Sequence, residues 1–459
     1  MKNLTFDKLR EVTGGRLVGA KYDDGREITS IVWDSRVIVP GCLFLCIEGE
    51  KADGHDFAQQ AVDNGAAGVL AEKKIPGLKA PYILVSSVLK AAQDIAAYYR
   101  NILGLTVVGV VGSVGKTSTK EMIASVLRKT YRVGKTKGNY NNQWGVPFTI
   151  FGLNERDQVA VIEMGISDFG EMDVLSNIAK PDIVVMTNIG QSHLEFLKTR
   201  DGILKAKSEV FNHMNPEGHV ILNGDDDKLC TIRNVNGRKP EYYGFGPLSQ
   251  VTAERIKEHG FDGSEFDVVI RQGGGRMSFR ASLPVSGKHM IYNALAAVQV
   301  ALDLDVPLLG IQEGLKNVSG IEGRNNLIKT EKFTLIDDCY NASPASMQSS
   351  IDFLQYGEGR KVAILGDMLE LGEDSDKYHF KVGQYAGKTD TDLIICIGEE
   401  SEKMFMGAKL VTDHKAEYFK NLRDAIEIVP GLLKTGDTIL LKASHSMHFD
   451  KLLEVLKAL

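Results

Sequence analysis

Gly112, Gly115 and Lys116 stand in the stretch VVGSVGKTSTKEM, residues 110 to 122, and are followed at once by Thr117, Ser118 and Thr119. This is the composition of a phosphate cradle. Glycines let the main chain close on an anion. Successive N–H groups at the head of a helix point at it, and the helix dipole favours negative charge there. Gly112, Ser113, Val114, Gly115, Lys116, Thr117 and Ser118 are therefore read as nucleotide-binding. Lys116 is expected to reach the β- and γ-phosphates, and Thr117 to offer its hydroxyl to magnesium. One position departs from the full phosphate-loop pattern. A glycine is wanted five residues before Gly115, where Val110 stands, and Gly109 is one place off. The bland alternative is an ordinary strand-turn-helix rich in glycine.

Magnesium needs further oxygen ligands. Glu163 ends the apolar run QVAVIE, and a carboxylate at the carboxyl end of a neighbouring parallel strand faces the same crevice. His193 follows DIVVMTN in TNIGQSHLEF, and Lys207 lies in DGILKAKSEVF. Taken alone, the first reads as an ordinary surface or core histidine and the second as a solvated helix lysine.

These residues need a scaffold, and the chain supplies one. Strand-helix alternation begins at LTVVGVVG and continues through QVAVIEMG, DIVVMTNIG and HVILNGDD, which favours a parallel sheet wound by helices. The Ala-rich stretch SSVLKAAQDIAAYYRNILG before it reads as a connecting helix stopped by Gly104. Residues 1 to 84 read as short strands with one helix, Asp56 to Asn64. Residues 225 to 290 are polar and strand-like, with RQGGGRMSFRASLP as a hairpin, and IYNALAAVQVALDL is a helix. After GIEGRNN the alternation restarts with FTLIDD, KVAILGD, DLIICIGEE and DTILLKAS, a second wound sheet. The fold class is α/β in three domains.

The 459 residues suit about three domains. A hydrophobic share of 43% and a charged share of 25% are those of a globular protein with proper cores. A net charge of −6 gives no reason to expect nucleic acid. No apolar leader core and no run of about 18 apolar residues is present. The five cysteines are scattered and odd in number, which reads as reduced thiols in a cytoplasm. Cys42 and Cys46 lack the partners that would complete a zinc site.

VVGSVGKTST, NYNNQWGVP, EMG, TNIGQSHLEF with KAKSE, YNALAA, GIEGR and DDCYNASPASM occur in an order that resembles the Mur ligases, the ATP-dependent amide-bond ligases of peptidoglycan synthesis. The likeness runs over the whole chain. WDSRVIVPGCLFLCIEGEKADGHDF, DDCYNASPASM and LGDMLELGEDS resemble the branch that adds D-alanyl-D-alanine. The resemblance implies a small α/β domain over 1–84 for the uridine nucleotide. It implies a central ATP-binding domain over 85–320, and a Rossmann-like domain over 321–459 that brings the dipeptide. The implied substrates are UDP-N-acetylmuramoyl-tripeptide and D-alanyl-D-alanine, with ATP and two magnesium ions, in a monomer.

By the same resemblance, Glu163 and His193 are metal ligands. Lys207 is a carbamylated lysine on the second magnesium, chosen over Lys205 by the KAKSE alignment; carbamylation needs a neutral amine. Asn293 contacts adenine, with a helix N-cap as the competing reading. Arg324 and Asp338 contact ATP, and Asp337 is set aside because it faces the other side of its strand. An interdomain salt bridge competes for Arg324. Asn341 and Ser343 face the dipeptide, although Ser343 before Pro344 is also a good cap. Ser35 and Arg36 contact the uridine nucleotide, or form a surface turn, and Asn139 and Asn142 line the sugar-peptide channel. Lys116, Glu163, His193, Lys207 and Arg324 make up the implied catalytic set. The implied reaction transfers the γ-phosphate of ATP to the tripeptide carboxylate, and the dipeptide amine attacks the acyl phosphate. Closure of the third domain on the second is expected about residues 318 to 324. One segment departs from the family. In LLKASHSMHFDKL, Ala443, His445 and Ser446 replace small and basic residues, which leaves the role of residues 443 to 448 open. Rival readings are another ligase on the same scaffold and a phosphate-loop switch that hydrolyses ATP without an acceptor.

Overall fold

The computed structural model describes residues 1–19, 25–318, 323–412 and 415–459. It is built from three sheets, each wound by helices.

The first sheet has five short strands in the order Arg16–Val18, Tyr82–Leu84, Gly68–Ala71, Leu43–Leu45 and Ile31–Val32, antiparallel at the first pair and parallel beyond. It carries two α-helices where the sequence suggested one. Phe6–Thr13 is capped by the Thr5 hydroxyl and closed by Gly14 at φ 62°. The expected helix from Asp56 begins instead as a 3₁₀ turn, Gly54–Phe57, which leads into Ala58–Asp63.

The helix Val88–Leu103 links the first sheet to the second. Ser87 caps its start and Gly104, at φ 60°, ends it as expected. The second sheet has nine strands. Thr106–Val111 lies between Val159–Glu163 and Ile183–Met186, all parallel. Their β-branched residues are buried on both faces, as a helix-covered parallel sheet requires. His219–Asn223 and Glu241–Tyr243 extend it. Val251–Glu258 and the hairpin Ser264–Gln272 with Gly275–Leu283 finish it. The polar stretch after residue 225 is thus one wing of the nucleotide sheet.

The third sheet has six strands, not four. Thr334–Asp337, Thr438–Lys442, Lys361–Gly366 and Leu393–Ile397 match the apolar runs. Asn326–Lys329 and Ala416–Phe419 close the two edges. Both edge strands are amphipathic and short, so hydrophobic runs do not mark them. Of the expected hinge, residues 319 to 322 lie outside the described residues.

The topology places the site. Strand order reverses across Thr106–Val111, and Val110 is in register with Glu163 and Val111 with Met186. The carboxyl ends of three strands therefore open at one edge, the place where wound sheets bind ligands.

Candidate active site

Gly112 leaves its strand at φ 154°, and a Cβ there would sit 1.9 Å from the Thr187 hydroxyl. Only glycine fits. Gly115, at φ 85°, caps the helix Lys116–Leu127. The loop between them is held from the next strand end: Ser113 N donates to Asn188 O at 3.0 Å, and Val114 N donates to Asn188 Oδ1 at 3.0 Å. Gly190 N donates to Ser113 Oγ at 2.9 Å. Lys116 Nζ folds back onto Gly112 O at 2.9 Å. Desolvation pushes the Lys116 pKa below its ordinary value, opposed by Glu163 and reinforced by Arg324.

Glu163 is 1% exposed. Its Oε1 accepts from Asn141 Nδ2 at 2.7 Å and from Thr117 Oγ1 at 3.2 Å. Its Oε2 is buried without a hydrogen-bond donor, and the nearest cation, Lys120 Nζ, stands 3.6 Å away. A buried carboxylate oxygen without a donor, beside a threonine hydroxyl at a phosphate loop, fits a hard divalent cation. His193, at φ 61°, lies on the same rim, and its Nδ1 meets Glu370 Oε2 of the third sheet's domain at 2.5 Å. This hydrogen bond lowers the Glu370 pKa.

Lys207 is 1% exposed and has no carboxylate within 4.0 Å among the described residues. Burial, and then the charge of Lys116, push its pKa well below the ordinary lysine value. Its amine is thus favoured in the neutral form. Lys207 sits behind the cleft wall rather than on it.

Ser113, Lys116, Glu163 and His193 line a cleft of about 450 Å³ whose far wall comes from the third domain. Arg324 makes no ion pair among the described residues, so the salt-bridge alternative does not hold for it. Its guanidinium lies 4.3 Å from the centre of the Tyr340 ring. Asp338 faces the cleft, accepting from Ser350 Oγ and, at 2.6 Å, from Lys442 Nζ. Asp337 instead accepts from Cys339 N at 3.2 Å and does not line the cleft. Asn341 and Ser343 both line it. Ser343 also starts the helix Pro344–Leu354, with Ser346 Oγ accepting from its N–H at 2.9 Å, so the structural role and the cleft position hold together.

Asn293 is no cap. It lies in the second turn of the helix Lys288–Asp303, where its Oδ1 accepts from Thr119 Oγ1 at 3.0 Å and faces Gly115. The N-cap is Gly287, one turn earlier than apolar periodicity suggests. Asn142 lines the cleft, but its Oδ1 accepts from Gly145 N at 2.9 Å. Asn139 does not line the cleft.

Ser35 and Arg36 are not brought to this cleft. They form a single 3₁₀ turn capped by Asp34, with Arg36 paired to Asp34 at 2.7 Å and its side chain 85% exposed. The neighbouring Trp33 stacks on Phe148 of the central domain at 3.6 Å.

Sequence reading missed Asn141, Asn188, Lys120, Tyr340, Glu370 and Lys442. Asn141 stood in the quoted NYNNQWGVP beside two residues that were chosen. Lys442 opens the atypical KASHSM segment, whose Ala443 is fully buried and whose Ser444 Oγ accepts from Leu369 N at 2.9 Å.

Comparison with known proteins places this geometry. Three family models cover the chain: "Mur ligase family, catalytic domain" over 27–100, "Mur ligase middle domain" over 110–301 and "Mur ligase, glutamate ligase domain" over 323–445. The UDP-N-acetylmuramoyl-tripeptide–D-alanyl-D-alanine ligase of Bacillus subtilis is 35% identical over 98% of this chain and 97% of its own. A crystal structure of MurF from Acinetobacter baumannii is 32% identical with a TM-score of 0.90, covering 99% of both chains. The MurF ligase of Thermotoga maritima in complex with ADP is 28% identical with a TM-score of 0.80, covering 94% of this chain and 97% of that one.

Proposed function

The chain belongs to the Mur ligase family, and from that premise we infer its reaction: ATP-dependent joining of D-alanyl-D-alanine to UDP-N-acetylmuramoyl-tripeptide, giving the UDP-muramoyl pentapeptide of peptidoglycan synthesis. The observation that carries this reading is the meeting of two half-sites in one cleft. The central domain offers the phosphate cradle with Lys116 and Glu163. The third domain offers Arg324, Asp338, Asn341 and Ser343.

A carboxylate does not couple to an amine unaided, because its oxygen is a poor leaving group. The γ-phosphoryl group moves to the tripeptide's terminal carboxylate and ADP is released. The dipeptide amine then attacks the acyl carbon, loses a proton and expels inorganic phosphate. Such transfer depends on positioning and charge neutralisation. The loop N–H groups and Lys116 hold the phosphates. Arg324, propped on Tyr340, presents a planar guanidinium that can grip two phosphate oxygens. Thr117, Glu163, His193 and carbamylated Lys207 would hold magnesium, whose charge neutralises the phosphates when it is bound. The Glu163 oxygen without a donor, beside the Thr117 hydroxyl, supports the first two, and the burial of the Lys207 amine, which lowers its pKa, supports the last. Asn293 borders the loop where the nucleoside is expected. Ser35 and Arg36, on the first sheet, take the uridine end, and Asn139 and Asn142 line the path between. The three functions divide over 1–84, 85–320 and 321–459. Among the described residues no helix is long and apolar enough to cross a membrane, and the cysteines are free; both accord with action in the cytoplasm.

The acyl phosphate is tested with UDP-muramoyl tripeptide carrying ¹⁸O in its terminal carboxylate. Label in the released phosphate, with pentapeptide formed in equal amount, is expected. Unlabelled phosphate would refute the route.

A further inference from the structure

At the opposite edge of the nucleotide sheet, three chain segments converge on a second cluster. His219 opens the strand His219–Asn223, Glu241 opens the neighbouring Glu241–Tyr243, and Asp303 ends the helix Lys288–Asp303. One ligand atom from each lies within 4.8 Å of the other two. His219 Nδ1 is 2.9 Å from Glu241 Oε1 and 3.6 Å from Asp303 Oδ2. Ligands at zinc-type distances on a tetrahedral ion stand roughly 3.3 to 3.6 Å apart, so these separations need only small adjustment.

Two carboxylates are held together here with the His219 imidazole as their one basic neighbour within 4.0 Å among the described residues. No lysine or arginine lies within 4.0 Å of either among the described residues. Gln299 instead spans them, donating from Nε2 to Glu241 Oε2 and, at 3.0 Å, to Asp303 Oδ1. Asp303 is the telling member. Its side chain is 6% exposed, and its Oδ2 is buried with no hydrogen-bond donor. A buried carboxylate oxygen in that state calls for a cation. His219 and Glu241 are partly exposed and leave a path from solvent.

We propose that His219, Glu241 and Asp303 bind one divalent transition ion of the zinc type, at a site separate from the catalytic cleft. An imidazole with two carboxylates suits zinc, cobalt or manganese better than magnesium or calcium, which prefer oxygen alone. Gln299 orients both carboxylates, as outer partners of metal ligands commonly do. The ion ties the end of one helix to two strands. That helix carries Asn293 to the cleft, and Tyr243 lies at the cleft end of one of those strands. The role is therefore structural.

The test uses the full chain, stripped with chelator and held in excess magnesium at pH 8. Cobalt(II) is titrated with visible spectroscopy, and zinc with thermal melting, for the native chain and for His219→Gln and Asp303→Asn. One equivalent of cobalt with d–d bands of nitrogen and oxygen ligation is expected, and a zinc-dependent rise in Tm. Both should vanish in either variant, while each variant keeps its ligase turnover in magnesium and so shows that it is folded. Three results would overturn the site: no saturable binding, binding undiminished in both variants, or sulfur-to-cobalt charge-transfer bands, which would place the ion on a cysteine.

Discussion

The two walls of the cleft are built on opposite principles. On the central wall, polar groups are held by near neighbours at strand ends. Asn188 fixes the loop, Gly115 opens the helix, and Lys116 folds onto its own loop. On the third-domain wall, partners come from far along the chain. Lys442 reaches Asp338 across 104 residues. The central wall is a motif, shaped by its glycines and pinned by the end of the next strand. The other wall is a network, which depends on the whole six-stranded sheet. Damage to the first should therefore be local and catalytic, and damage to the second should spread into stability.

Lys116→Ala gives the sharpest contrast. Loss of one positioned charge donor should lower kcat by about a hundredfold to a thousandfold. Tm should hold or rise, because the lysine's charge is disfavoured by desolvation. Steady-state kinetics beside calorimetry would show the split. A large fall in Tm would break the comparison.

Lys442→Met should do the reverse. It strands Asp338 as a buried charge without its partner, which costs about 3–5 kcal/mol. Urea unfolding would measure this. The double variant with Asp338→Asn should recover much of the loss, since the penalty lies in the unpaired charge.

Lys207 sharpens the comparison through pH. Its folded pKa lies below the unfolded value near 10.5. Between the two, the unfolded chain binds the extra proton, so stability rises with pH across that window. In carbonate-free buffer Lys207→Met should flatten that rise by up to about 1.4 kcal/mol per pH unit. Urea midpoints from neutral to alkaline pH would detect it. A slope identical to that of the native chain would mean that Lys207 folds with its charge.

The smallest effect on folding is expected from Arg36→Ala. Its pair with Asp34 is exposed to solvent and should contribute little to folding. If it grips the uridine nucleotide, KM for the sugar-peptide rises while kcat holds. Unchanged KM would remove it from the site.

How much was legible follows the same division. VVGSVGKTST, with its strand and helix, could be read directly because glycine conformation and helix-end charge are local properties. Glu163 followed from parallel register alone. Asp338 was chosen over Asp337 by strand alternation, and of the two it is Asp338 that lines the cleft. Lys442 was passed over in an atypical segment, because only the neighbouring strand shows its partner. Glu370 was invisible for the same reason. For Asn293 a cap stood as the competing reading because apolar periodicity starts the helix late; the structure puts it in the second turn. Both edge strands of the third sheet were lost to their short, half-exposed pattern.

The central claim is that the two walls together couple a carboxylate to an amine at the expense of ATP. The most direct measurement is mass-spectrometric. The chain is given ATP, magnesium, UDP-muramoyl tripeptides with either lysine or diaminopimelate third, and D-alanyl-D-alanine, each component omitted in turn. A UDP-muramoyl pentapeptide found only in the complete mixture is predicted, and it also names the preferred tripeptide. ATP hydrolysis from folded protein without that product would contradict the claim.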